Sequence, residues 1–182
     1  MLIKASISDK THQYFIKDHK DYFDDFMRDE MAQKLLMENN FNRLYDLWVA
    51  YHDERTPHNN SLTVLLIESG IDFLYHMTSV PDHTFFDLDG IEEIVFPYNI
   101  TSVGYHALQF CKNLKRVVIS NPAVLSNNFF TNQMFLGDEN LEKVIFDFPY
   151  QSLPDGFKQP TFSIREYLGI ESESTEITTR EN

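Results

Sequence analysis

Three segments of the chain share one order of apolar and polar positions: an apolar anchor, two polar residues, then an apolar run. They are Ile91-Glu92-Glu93-Ile94-Val95-Phe96, Leu114-Lys115-Arg116-Val117-Val118-Ile119 and Leu141-Glu142-Lys143-Val144-Ile145-Phe146, each preceded by Gly90, Asn113 or Asn140. Each reads as one β-strand, with side chains alternating between faces. Upstream the period becomes helical. Residues 21–38 place Tyr22, Phe23, Phe26, Met27, Met31, Leu35 and Leu36 at spacings near three and four, the mark of one buried helical stripe. A second helix over 41–51 puts Phe41, Leu44, Tyr45, Trp48 and Tyr51 on one face, and Trp48 is expected to anchor the pair. The polar, proline-bearing stretch 53–60 reads as a linker. Ser61 then caps a short helix that Gly70 ends, and 72–77 forms one more turn.

The anchors Ile91, Leu114 and Leu141 lie 23 and 27 residues apart, within the roughly 20–29-residue period of a leucine-rich solenoid. The fold class expected is therefore α+β: a helical N-terminal region followed by a short leucine-rich-repeat solenoid. The organisation reads as a helical region over 1–58, a helical lead-in or cap over 59–79, repeats over 80–157, and a C-terminal segment over 158–182 ending in a disordered acidic tail. Loop aromatics ahead of the strands, Phe85 and Phe86, Tyr105 and Phe110, and Phe129, Phe130 and Phe135, are expected to fill the interior.

Composition narrows the function. The net charge of −13, from 15 Lys and Arg against 28 Asp and Glu, disfavours direct binding of nucleic acid or anionic lipid and suits a basic protein partner. No apolar run approaches the ~20 residues of a membrane span, and residues 1–20 lack an apolar signal core. A cytoplasmic location follows as the expectation, and the single Cys111 fits a reducing compartment.

Residues 96–119 carry the most specific pattern. Thr101-Ser102-Val103-Gly104, Ala107, Cys111, Asn113 and Leu114 fall where the BspA-like leucine-rich repeat has its serine-isoleucine-glycine, alanine, cysteine and asparagine-leucine positions. The chain resembles that family over about 80–157. The lead-in over 62–84 is similar to that of small repeat proteins of tailed bacteriophages. The resemblance implies a protein-recognition scaffold without catalytic residues or cofactor, and for a phage member a host factor as target, met in the host cytoplasm.

Two surfaces are candidates for a partner. On the outer face of the sheet, Glu93, Arg116 and Lys143 form a charged row and Val95, Val118 and Ile145 an apolar row, which marks an interface if nothing folds over it. The alternative is the acidic helix, where Asp21, Asp24, Asp25, Asp29 and Glu30 recur at helical spacing and imitate DNA phosphates, as in an anti-restriction or anti-CRISPR inhibitor. Self-assembly into a homo-oligomer through the apolar row is a third reading. The seven histidines show no closed metal spacing; His52, Asp53 and His58 come nearest. Cys111 with His106 would be a nucleophile and base, but the repeat accounts for Cys111 as a packing residue. Asp87-Leu88-Asp89-Gly90 lacks the ligand run of a calcium loop and reads as a turn.

Overall fold

The computed structural model describes residues 1–15, 20–51, 59–126, 131–158 and 163–180. In chain order these form β1 (Ile3–Ala5), α1 (Asp9–Phe15), α2 (Lys20–Arg28), α3 (Glu30–Met37), α4 (Phe41–Tyr51), α5 (Asn59–Glu68), β2 (Ser79–Val80), β3 (Ile91–Phe96), β4 (Ser102–Val103), β5 (Arg116–Ile119), β6 (Lys143–Pro149), α6 (Ile164–Tyr167) and β7 (Glu176–Arg180). Short 3-10 turns connect several of them. The fold class is α+β: helices and one mixed five-stranded sheet in the order β1-β3-β5-β6-β7, with a two-stranded parallel ladder of β2 and β4.

The repeat spacing sets the register. Ile94 pairs with Val117 and Val117 with Val144, while Phe96 pairs with Ile119 and Ile119 with Phe146, all in parallel. These six side chains are buried in one continuous core. Parallel neighbours need a long crossover between them, and each intervening loop stacks on the next. The N–H groups of His83, Phe85 and Asp87 donate to the carbonyls of Tyr105, Ala107 and Gln109 at 3.0, 2.8 and 3.0 Å, and Phe110 donates to Leu136 at 2.9 Å. Each coil turns its corner with two left-handed residues: His83, His106 and Gln133 at one position, and Asp87, Phe110 and Gly137 at the other. Such φ values are uncommon outside glycine and costly for Phe110. Their recurrence at the repeat spacing shows that stacking over-determines the loop.

Side-chain amides fasten the coils. Asn113 Nδ2 donates to the Asp89 carbonyl at 2.8 Å, and Asn140 Nδ2 to the Lys112 carbonyl at 2.6 Å. Gly90 occupies the same position in the first repeat. There the N-terminal segment closes in instead: Ser6 N–H donates to the Gly90 carbonyl at 2.8 Å. A Cβ on Gly90 would lie 2.5 Å from the Ser6 carbonyl oxygen, so the close approach requires glycine.

The helices stack on the first coil. Phe73 lies 6.2 Å, ring to ring, from each of Phe41, Tyr45 and Phe85, which joins α4 to the repeats. Asn42 Nδ2 donates to the Ser79 carbonyl at 2.8 Å, and Asn59 and Asn60 donate to those of Asp82 and Phe86 at 2.8 and 2.7 Å. Trp48 anchors α2 to α4 as expected, stacked on Phe23 and edge-on to Phe26 at 4.9 Å each.

Several expectations need correction. The region before residue 58 is not wholly helical, because β1 pairs antiparallel with β3 and ends the sheet. The helix expected over 21–38 is two helices, broken where Asp29 accepts from Met31 N–H and Ala32 N–H at 2.9 and 3.0 Å. The break rotates the stripe, leaving Tyr22, Met27 and Met31 exposed. Ser61 does not cap α5, because it lies inside the helix. The tail expected to be disordered holds β7, parallel to β6 with Lys143 opposite Glu176. Of the loop aromatics, Phe85 and Phe135 are buried, whereas Tyr105 and Phe110 are 42% and 39% exposed; Phe129 and Phe130 lie outside the described residues, as does most of the linker.

Gly90→Ala is expected to lower stability by about 1–3 kcal/mol through overpacking, measured by urea unfolding. The Val95 amide, which donates to the Leu2 carbonyl at 2.7 Å, should then exchange hydrogen faster than amides of β5 and β6.

Candidate protein-binding face

Parallel register turns a one-dimensional repeat into columns. Glu93 lies opposite Arg116, Arg116 opposite Lys143 and Lys143 opposite Glu176; one step along, Val95, Val118, Ile145 and Thr178 line up in the same way. Neighbouring strands lie roughly 4.8 Å apart, so each row is a continuous band. All six sheet residues singled out from the sequence therefore sit on one face. β1 adds Lys4 beside Glu93, and β7 adds Glu176 and Thr178.

Burial distinguishes this face from the core. Val117 and Ile119 are fully buried within the continuous core, whereas Val118 is 7% exposed yet lies outside that cluster. Val95 and Ile145 are its register neighbours on the two adjoining strands. Val95 and Ile145 are partly exposed, as are Glu93, Arg116 and Lys143. The hydrogen bonds that fix the helices run instead to the coil around residues 78–86. Ion pairs along the charged bands span 3.4–3.9 Å: Lys4 to Glu92 at 3.4 Å, Arg180 to Asp147 at 3.8 Å and Lys143 to Glu176 at 3.9 Å. Exposed pairs of this kind hold little energy and exchange readily with a partner's charges.

The acidic array is divided. Asp24 pairs with Lys20, Asp25 with Arg28 at 2.9 Å, and Asp29 is spent on capping α3. Asp21 and Glu30 lie on different helices, α2 and α3. The five carboxylates therefore do not present a single helical edge.

His106 and Cys111 are each engaged elsewhere. His106 Nδ1 meets Gln109 Oε1, and the Cys111 thiol donates to the Phe85 carbonyl at 3.0 Å. Burial, and then the Asp138 carboxyl, hold the thiol well above its ordinary pKa, which disfavours the nucleophilic thiolate. His52, Asp53 and His58 lie outside the described residues, and among the described residues no group of three His, Cys, Asp or Glu could hold a metal ion.

Asp138 was not anticipated. It occupies the coil position that Cys111 holds one repeat earlier and Leu88 one before that. Its Oδ1 accepts Cys111 N–H at 2.7 Å, and its buried Oδ2 has no partner among the described residues. Burial raises its pKa to about 9.

Stacked coils in which strands, asparagine rungs and left-handed corners recur together define the class of leucine-rich repeat proteins, modules that generally bind other proteins. The family model for the BspA type leucine rich repeat region matches residues 66–179 in six copies, and the chain belongs to that family. Comparison with curated proteins and with solved structures finds no match. The family match reaches beyond the 80–157 read as repeats, upstream to residue 66 and into β7 as far as residue 179. The signal for that last strand was present in Ile177, Thr178 and Thr179, three consecutive β-branched residues. No helix among the described residues is long and apolar enough to cross a membrane.

A carboxyl whose pKa is higher folded than unfolded holds a proton that the unfolded chain has released, so stability falls as pH rises through that window. For Asp138 the window runs from about 4 to about 9. Asp138→Asn keeps an acceptor for Cys111 N–H and removes the titration. Urea unfolding from pH 5 to 8 should show the variant gaining on the wild type by up to about 1.4 kcal/mol per pH unit. Parallel pH profiles would contradict this account.

Proposed function

We propose that the chain is a non-enzymatic protein-binding module, a short solenoid whose outer sheet face is the working surface. Val95, Val118 and Ile145 form the apolar contact strip, and Glu93, Arg116 and Lys143 set orientation beside it. The observation that supports this reading is the in-register apolar row, with Val95 and Ile145 partly exposed around a buried Val118, on a face to which, among the described residues, the helices make none of their hydrogen-bonded attachments. An apolar band beside a charged one matches the usual anatomy of an interface, with a desolvated centre and a polar margin.

The finer reading is a protein that sequesters a host factor in the host cytoplasm. It rests on the resemblance of residues 62–84 to phage repeat proteins and names the first lysate to use, that of a bacterial host. The DNA-mimic reading loses ground because the carboxylates on α2 and α3 are paired, spent on a cap or divided between helices.

The test is a tagged pull-down from host lysate with mass spectrometry, comparing wild type, Val118→Glu, and the combined Asp→Asn variant at 21, 24, 25 and 29. A stoichiometric partner kept by the Asp variant and lost with Val118→Glu, whose circular dichroism is unchanged, is the expected result. Because Val118 is nearly covered, Ile145→Glu serves as a second, more exposed probe. Retention by both sheet variants and loss with the Asp variant would transfer the function to the acidic helices.

A further inference from the structure

β7 is the last strand of the five-stranded sheet. Glu176 N–H donates to the Glu142 carbonyl at 2.8 Å, so the backbone groups of Glu176, Thr178 and Arg180 face β6. By alternation those of Ile177 and Thr179 face outward along the edge. Among the described residues no strand pairs with that edge. An open edge is a template for another strand, and proteins usually protect it.

The side chains of β7, Glu-Ile-Thr-Thr-Arg, complement their own reversed order in charge. Turned about a two-fold axis at Thr178, the strand sets Glu176 opposite Arg180 of a second copy, Ile177 opposite Thr179, and Thr178 opposite itself. Antiparallel strands exchange both backbone hydrogen bonds at alternate pairs. Here the bonded pair is Ile177 with Thr179, the two residues whose backbone groups already point outward. The pairs without backbone bonds, where side chains come closest, are then Glu176 with Arg180 and Thr178 with Thr178. Opposite charges and threonine pairs are favourable in those places. Face, phase and charge agree, as an isologous interface requires.

We infer that the chain forms a two-fold homodimer by antiparallel pairing of β7 with β7 of a second copy, which joins the two sheets edge to edge. The proposal is independent of the partner assigned to the outer face. A five-residue strand pair buries less than the roughly 1,200 Å² of a standard stable interface, so the dimer is weak and its dissociation is read at micromolar concentrations.

Sedimentation equilibrium of the 182-residue chain up to about 300 µM tests it, a range suited to a sub-standard interface. Thr179→Pro removes an outward N–H and leaves the ladder to β6 intact, a place where an edge strand tolerates proline. It should give a folded monomer. Glu176→Arg sets two cations opposite each other at both symmetry-related pairs and should weaken the dimer roughly tenfold. The double variant Glu176→Arg with Arg180→Glu should restore it. Within one copy that swap sets like charges against Lys143 and Asp147, so restoration cannot come from the intramolecular pairs. Val118→Glu should leave the dimer unchanged. A wild-type monomer throughout the range, a dimer that survives Thr179→Pro, or a folded double variant that remains monomeric would overturn the proposal. So would a monomer whose β7 edge takes up an extended peptide of another sequence.

Discussion

The structure depends on one constraint: residues a repeat apart must come to rest a single strand spacing apart, about 4.8 Å. A repeat of 23 or 27 residues satisfies it only if every coil closes with nearly the same path. That demand explains features that look unrelated. Backbone donors of one loop meet acceptors of the next, asparagine side chains bridge consecutive coils, and non-glycine residues accept left-handed corners. Each is ordinary or unfavourable alone, and repetition makes them mutually supporting.

The same constraint transmits chemistry along columns. Leu88, Cys111 and Asp138 follow one another at a single coil position, all buried. A leucine and a thiol suit that place because they need little from their surroundings. A carboxyl there must give up its charge, and its contact with Cys111 N–H offsets only part of the desolvation. The family position is thus a steric slot, and the group occupying it sets how stability responds to pH.

The internal repeats were legible because their signal is written three times. Anchor, polar pair and apolar run are enough on their own to place the strands, the register and both rows of the outer face. The ends were not legible for the converse reason. β1 pairs antiparallel and β7 lacks the leucine anchor, so neither copies the pattern it joins. Residues 3–7 do alternate, and 177–179 are β-branched, but such short signals gain meaning only from the sheet edge that receives them. The break at Asp29 was hidden differently. Its carboxylate was counted as surface charge, although a carboxylate just before an apolar run is equally an N-cap. The exposed Tyr105 and Phe110 show the limit of composition: the repeat decides which loop positions face inward, and aromatic character does not.

Charge is where the whole chain and its parts diverge. A net charge of −13 points to a basic partner if it is spread evenly. The charged row of the outer face instead runs Lys4, Glu93, Arg116, Lys143 and Glu176, three cations against two carboxylates. Net charge acts at long range, on solubility and on encounter rate, and salt screens it beyond about 8–10 Å. Contact residues act at short range, on orientation and choice of partner. Under the proposed function, a partner for the sheet face needs an apolar strip and a mixed-charge margin, and the net acidity of the chain acts mainly on its approach.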